Sequence, residues 1–269
     1  MSAHATPVPH IRLVVAPNAG PSTHDGTNTY LIDEADGVTV IDAGPAIEAH
    51  VEAIVAAAGR PIRRILTTHG HRDHAGAARA LAARTGAPVL AYRVPLHAEY
   101  APDIALDDGA RIGALTAIHT PGHAPDHLCF SHAGTVLFSG DTVLDWASSL
   151  VMPPHGDMGH YMDSLARLGA RSEALCLPGH GPPVTDPRAR IADLLARRQH
   201  REATILAQLA GSGATLDALT ARFYGRKPDL QVTGRGVLEA HLIKLQREGR
   251  AAVGADGLWV ALPPRPGDS

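Results

Sequence analysis

The sequence predicts a mixed α/β (α+β) fold in two parts, and three observations lead there. Short apolar runs recur through the first 180 residues, bounded by Gly, Pro and Asp, as buried strands are. The chain is strand-rich first and then mixes strands with helices, which suits sheets covered by helices. Beyond residue 196 the pattern changes to three helices and a hairpin. The charge changes with it: residues 1–196 carry 13 Lys+Arg against 20 Asp+Glu, net −7, and residues 197–269 carry 11 against 7, net +4. That asymmetry points to two domains and to an anionic partner for the second. A chain of 269 residues with 45% apolar content can form one large core or two domains.

His10–Val15, Thr29–Ile32 and Val38–Ile41 read as strands. Pro45, tolerated in a first turn, opens a helix through Ala58 with Ile47, Val51, Ile54 and Val55 on one face. Gly59 and Pro61 end it. Ile62–Leu66 reads as a strand and Ala75–Ala82 as a helix. Pro88–Ala91 is a strand, and no pattern assigns residues 96–106. Leu115–Ile118 reads as a strand, and Leu128–Phe130 with Thr135–Phe138 as a hairpin around His132-Ala133-Gly134. After a loop over Ala147–Gly159, Asp157 caps a helix to about Gly169, and Ala174–Leu177 is a strand. Pro187 opens a long helix to Leu209. Helices over Thr215–Phe223 and Gly236–Gly249 follow, the latter with Leu238, Leu242 and Leu245 at core spacing. Ala251–Val253 and Leu258–Val260 flank an Asp256-Gly257 turn. Three helices then a hairpin is a winged-helix pattern. The expected division is 1–196 for a catalytic domain, 197–262 for a winged-helix-like domain and 263–269 for a disordered tail.

Between the strand Ile62–Leu66 and the helix from Ala75 lies Thr67-Thr68-His69-Gly70-His71-Arg72-Asp73-His74. Three imidazoles and a carboxylate within six residues is a metal-ligand spacing that suits zinc. The His-x-His pair can grip one metal, and the Asp-His pair, turned by the helix start, points at a second.

The run resembles the His-x-His-x-Asp-His motif of the metallo-β-lactamase fold superfamily. The resemblance continues in Thr120-Pro121-Gly122-His123, in Phe138-Ser139-Gly140-Asp141-Thr142 and in Leu177-Pro178-Gly179-His180-Gly181, each after an apolar run. It implies a four-layer αββα sandwich. It also implies that His69, His71 and His123 hold one metal, that Asp73, His74 and His180 hold the other, and that Asp141 bridges them. Two Zn²⁺ are the default, with Mn²⁺ or Fe²⁺ fitting an Asp-bridged site as well. A water between two such cations loses its proton near neutral pH and becomes the bridging hydroxide nucleophile, with Asp73 as a catalytic carboxylate. In this family an aspartate at the position of Asp42 orients a ligand histidine. Asn28, Tyr30 and His155 are expected at the mouth of the site, in contact with substrate, while His119 and His127 are expected to pack. No Gly-x-Ser-x-Gly elbow and no Walker loop competes for the chemistry.

Substrate is less directly legible. An aspartate bridge and the lack of a signal peptide disfavour antibiotic hydrolysis. The 38 residues between Asp141 and His180 leave no room for the inserted domain of β-CASP nucleases. Thr27–Leu31, Asp157–Leu165, His200-Arg201-Glu202 and His241–Leu245 echo the beta-lactamase-like protein 2 subgroup, which joins the sandwich to a winged helix. A member of that subgroup is an endoribonuclease acting on single-stranded RNA, so an RNA phosphodiester is the leading expected substrate. Arg197, Arg198 and Arg201 on the joining helix support it; 4% aromatic content and an acidic balance speak against it. A small-molecule thioester or ester hydrolase of the glyoxalase II type is the alternative. A nucleic-acid-binding regulator with a vestigial metal site is a third reading, opposed by the complete ligand set. The winged helix can serve equally for packing or homodimerisation. No run has the length of a membrane helix, and the chain start lacks an apolar leader, so no membrane partner and a cytoplasmic location are expected. Cys129 and Cys176 form no motif and are expected as core residues.

Overall fold

The computed structural model describes residues 4–225 and 227–263; the tail expected over 263–269 lies outside them except for Pro263. The first sheet has seven strands in sequence order: β1 (His4–Ala5), β2 (Ile11–Val15), β3 (Asn28–Glu34), β4 (Gly37–Ile41), β5 (Ile62–Leu66), β6 (Val89–Tyr92) and β7 (Ile104–Leu106). β1 to β4 run antiparallel, as hairpin-linked strands do, and β4 to β7 run parallel. Parallel neighbours need crossovers, and helices supply two of them: α1 (Glu48–Ala58), and the pair α2 (Arg72–Ala75) and α3 (Ala78–Thr85). The helix expected as one piece after the metal motif is thus two. The unassigned residues 96–106 hold a single 3₁₀ turn and β7.

The second sheet takes the order β12-β11-β10-β9-β8, from β8 (Arg111–Ile112), β9 (Leu115–His119), β10 (Leu128–His132), β11 (Val136–Gly140) and β12 (Leu175–Pro178). Its outer face carries α4 (Met158–Gly169) and the first half of α5 (Pro187–Leu209). Period-two alternation sorts each strand between two cores. Leu31, Val40 and Ile65 face α1 and α3, while Ile32, Ile41 and Leu66 face the second sheet. Phe130 and Phe138 meet them there, and Cys129 and Leu137 turn outward to Leu165, Ile191 and Leu194. The layers are therefore helix, sheet, sheet, helix. Cys129 and Cys176 are buried and unbridged in the outer core, where burial pushes the Cys129 thiol up to about 12 and the Cys176 thiol higher still.

A fourth core lies beyond. Ile205 and Leu209 of α5 meet α6 (Leu216–Tyr224), α7 (Gln231–Arg247) and a small sheet of β13 (Ala214–Thr215), β15 (Leu258–Ala261) and β14 (Ala251–Val253). The boundary expected at 196/197 falls inside α5, whose Ile191 and Leu194 serve the outer core and whose Ile205 and Leu209 serve the fourth. Among the described residues no helix is long and apolar enough to cross a membrane.

Candidate metal centre

Within each sheet the strands that carry site residues point the same way. β4 and β5 are parallel, β11 and β12 are parallel, and β9 runs with β11 because both are antiparallel to β10. Their C-terminal ends meet on one edge of the sandwich, where the donors of both sheets converge. Asp42 follows β4, His69 follows β5, His123 follows β9, Asp141 follows β11 and His180 follows β12.

At that edge seven donors converge in three overlapping groups: His69, His71 and His123; His69, His74 and Asp141; Asp73, His74 and His180. His71 Nδ1 lies 2.9 Å from both His69 Nε2 and His123 Nε2. His74 Nε2 lies 3.1 Å from His180 Nε2. Asp73 Oδ2 is 3.3 Å from His180 Nε2. Asp141 spans the two sets, with Oδ1 3.4 Å from His74 Nε2 and Oδ2 3.5 Å from His123 Nε2.

The far nitrogens of four histidines are each held by an oxygen: His69 Nδ1 by Thr68 Oγ1 at 3.0 Å, His74 Nδ1 by Asp42 Oδ2 at 2.8 Å, His123 Nδ1 by the Leu150 carbonyl at 2.6 Å and His180 Nδ1 by the Gly26 carbonyl at 3.3 Å. Such partners leave the near nitrogens as lone-pair donors aimed at one another, the arrangement of metal ligands. Asp141 Oδ1 is buried without a hydrogen-bond donor among the described residues. The donor set therefore fits divalent metal.

The electrostatics agree. Burial first, then the imidazoles of His74 and His71, hold His69 well below its ordinary value. Burial and His123 push His71 down to about 4. Both are neutral near pH 7, the form that ligates. Burial also opposes charge on His74, but Asp141, Asp73 and Asp42 outweigh it and hold that imidazole well above its usual range. Burial raises both aspartates, yet the facing histidines pull Asp73 to about 2 and Asp141 well below the carboxylate range. The carboxylates gather positive charge at the place where a cation would sit.

Residues to which the sequence analysis gave no part in the site support the loops. Asp126 Oδ2 accepts from the Gly70 and Leu96 N–H groups at 3.0 and 2.8 Å, pinning the turn between His69 and His71. His127, expected only to pack, stacks on His69 and accepts the Asp141 N–H at 3.1 Å. Gly179 has no room for a side chain: a Cβ there would stand 2.6 Å from the His74 ring and 2.7 Å from Asp141.

Two expectations are corrected. Asn28 and Tyr30 do not line the mouth; both are buried behind the His180 loop. Asn28 Nδ2 donates to the Pro178 and Gly181 carbonyls, 2.9 Å each, and the Tyr30 hydroxyl donates to Pro178 at 2.8 Å. The first sheet uses them to hold the second sheet's last loop, a contact across about 150 residues that no local pattern reveals. His155 does stand in the wall of the cavity over the donors. That cavity measures about 690 Å³ and is walled by Leu144, Trp146, Leu150, Met152 and Pro153, with Leu230 from the C-terminal unit.

Comparison with known proteins gives the same picture. The family model described as "Metallo-beta-lactamase superfamily" matches residues 22–180. The lactamase-like protein adaB of Aspergillus niger is 33% identical over 76% of this chain, which spans 65% of that relative's length. An atrochrysone carboxyl ACP thioesterase of Aspergillus chevalieri is 31% identical over 82% of this chain and 75% of its own. The beta-lactamase-like protein 2 homolog of Drosophila melanogaster is 27% identical over 88% and 87%. In structure, a beta-lactamase domain protein from Burkholderia ambifaria superposes with a TM-score of 0.82 at 25% identity, over 96% of this chain and 93% of that one. With its donor-bearing strand ends, layered sheets and matching family model taken together, this chain belongs to the metallo-beta-lactamase superfamily.

Proposed function

We propose that this chain is a dinuclear metal hydrolase whose substrate is an acyl thioester. His69, His71 and His123 would hold one cation, Asp73, His74 and His180 the other, and Asp141 would bridge them, with zinc the default for its affinity for nitrogen and carboxylate donors. When bound, two such cations supply an ionised water as nucleophile and polarise the carbonyl under attack. The chain's own residues do the rest. Asp73 is one-third exposed and stays ionised, so its carboxylate can orient the attacking water by accepting a hydrogen bond. Asp42, Asp126 and His127 keep the donors in place. The Leu144–Pro153 wall excludes water and receives the acyl group. A thiolate is a good enough leaving group to depart without a strong general acid.

The observation that carries this reading is the lining of the metal cavity. It is largely apolar, and among the described residues it holds no Lys or Arg; its other charges are Asp73, Asp141 and Asp229. A polynucleotide brings phosphates on both sides of the scissile bond and needs cations there. The thioesterase relative supports the same substrate class. RNA, the leading expectation from sequence, keeps one specific support in the arginines of α5, which line a neighbouring cleft and not this one. The C-terminal unit, which we read as winged-helix-like, would close the outer wall through Leu230 and Thr233.

The test is a parallel assay of purified protein on an acyl thioester and on end-labelled single-stranded RNA, with metal content measured by mass spectrometry. Thioester turnover is expected, lost on chelation, restored by Zn²⁺ and abolished in Asp141→Ala. RNA cleavage with an inert thioester would reverse the substrate assignment.

A further inference from the structure

Beside the metal cavity lies a second cleft of about 430 Å³, between residues 148–150, α5, Tyr224 and the start of α7. The two share Ser148, Ser149, Leu150, Leu230 and Thr233 as a common wall. Their charges are opposite. The second cleft is lined by Arg197, Arg198, His200 and Arg201 and, among the described residues, by no carboxylate.

Two of these arginines have unused hydrogen-bonding capacity. Arg201 makes no hydrogen bond or ion pair among the described residues, yet its guanidinium is held, 4.9 Å from the Phe223 ring centroid and 5.5 Å from that of Tyr224. The two rings hold the guanidinium while its N–H groups keep no protein acceptor among the described residues, so the fork can take an oxyanion in bidentate fashion. Arg198 is 8% exposed; one Nη donates to the Ser149 carbonyl at 2.6 Å, and its Nε has no partner among the described residues. Ser149 Oγ, buried in the common wall, has none either. Both atoms are sealed from solvent, so Arg198 adds positive field and the donor open to a ligand is Arg201.

We propose that this second cleft holds the phosphate of a phosphopantetheine-carried acyl thioester, an inference that rests on the thioesterase reading. In such a substrate the sulfur and the phosphate stand at opposite ends of a flexible amide-bearing arm. Two chambers with one wall between them suit that shape. The acyl end enters the apolar cavity over the donors, the arm crosses Ser149 and Leu150, and the phosphate meets Arg201. The apolar wall of the first chamber suits the acyl end and the arginines of the second suit the phosphate, so the two ends sort by chemistry. Arg197 is engaged by Asp193 at 2.8 Å and adds field more than contact. Coenzyme A and an acyl carrier protein both carry an anionic phosphate ester at that end of the arm, as a diphosphate in the first and a phosphodiester in the second.

Binding and turnover separate this site from the reading beneath it. By calorimetry the wild type should bind free phosphopantetheine, and Arg201→Gln should weaken that binding about tenfold, the worth of one charge-assisted hydrogen bond or more. Arg201→Lys keeps an aliphatic stem and the charge but not the fork, and should fall between. In turnover, the wild type should show a lower KM for an acyl-phosphopantetheine than for the same acyl-pantetheine, and the ratio should collapse towards one in Arg201→Gln. Acyl-coenzyme A and acyl carrier protein with the same acyl group then identify the source, whichever shows the larger loss of kcat/KM in the variant. Equal binding of phosphopantetheine by wild type and Arg201→Gln overturns the site, even if thioesters are hydrolysed. Arg201-dependent binding of a single-stranded RNA oligonucleotide with no affinity for phosphopantetheine overturns it too, in favour of a polynucleotide. Arg201-dependent phosphopantetheine binding without thioester turnover upholds the cleft and rejects the thioesterase reading alone.

Discussion

Asp42 sits in the left-handed backbone region, with φ +56°, where a residue other than glycine costs about 1 kcal/mol or more. Three contacts hold it there: the Thr68 N–H at 2.7 Å, the Thr68 hydroxyl at 2.8 Å and His74 Nδ1 at 2.8 Å. The carboxylate thus ties the strand end before His69 to a donor histidine. Asn tolerates this backbone but loses one acceptor oxygen. Asp42→Asn should therefore lower metal affinity about 10–100-fold, read by competition with a chromophoric chelator; unchanged affinity would reduce Asp42 to a turn residue. The seven candidate donors can be named from sequence because each stands at a strand end or in the short helix after β5, in a run of distinctive residue types. Asp126 cannot, since the Gly70 N–H it serves is 56 residues away and an isolated aspartate carries no pattern. Asn28 and Tyr30 have a local pattern but partners across the sandwich, so the residues were legible and their role was not.

Helix α7 starts five residues before the Gly236 start expected from periodicity, and takes in Gly234 and Gly236. These glycines act as contact points. A Cβ on Gly234 would stand 2.5 Å from the Tyr224 ring, and one on Gly236 would stand 2.8 Å from Met152 Sδ. Close approach of α7 to α6 and to the 148–153 loop requires them, and tertiary packing overrides the propensity that placed the start too late. Gly234→Ala would gain about 1 kcal/mol of helix propensity and lose about 1–3 kcal/mol to overpacking. The expected result is a net loss of stability of about 1 kcal/mol in urea denaturation. A stabilised variant would mean that Tyr224 can shift, which would also loosen the ring beneath Arg201. Alternating strands and amphipathic helices were legible, since period-two and helical spacing are local. The two-residue β13 and the division of α2 from α3 were not, because elements that short carry no period of their own.

At the scale of the molecule, α5 is the shared member. Its first half closes the sandwich and its second half builds the C-terminal core, while Arg190 and Arg198 hold the cavity loop through the Leu144, Ala147 and Ser149 carbonyls. The same helix carries Glu202, buried among Lys244 at 3.0 Å, His241 at 3.3 Å and Arg250 at 3.5 Å. Burial opposes its charge, but the hydrogen bonds from His241 and Lys244 outweigh burial and hold the carboxyl below its ordinary 4.5. Burial outweighs Glu202 at His241 and holds that imidazole below 6.5, in the neutral form. Both groups therefore take up protons less readily folded than unfolded, so through both of them stability decreases as pH decreases. The loss through His241 begins as pH drops below 6.5; the contribution of Glu202 is full above 4.5 and disappears as pH falls through its depressed folded value. The chain has two tryptophans, Trp146 in the cavity wall and Trp259 in the C-terminal core. In a Trp146→Phe background, Trp259 fluorescence reports that core, and comparing parent and variant in that background cancels titration at the metal centre. Glu202→Gln should cost about 3 kcal/mol at pH 7.5, because Lys244 and Arg250 lose their buried partner. At pH 4, below the ordinary 4.5, the deficit relative to the parent should have begun to shrink, since protonation of Glu202 in the unfolded parent removes part of its advantage. Parallel stability curves for the two proteins across that range would mean that Glu202 contributes shape alone, and that acid acts on this molecule elsewhere.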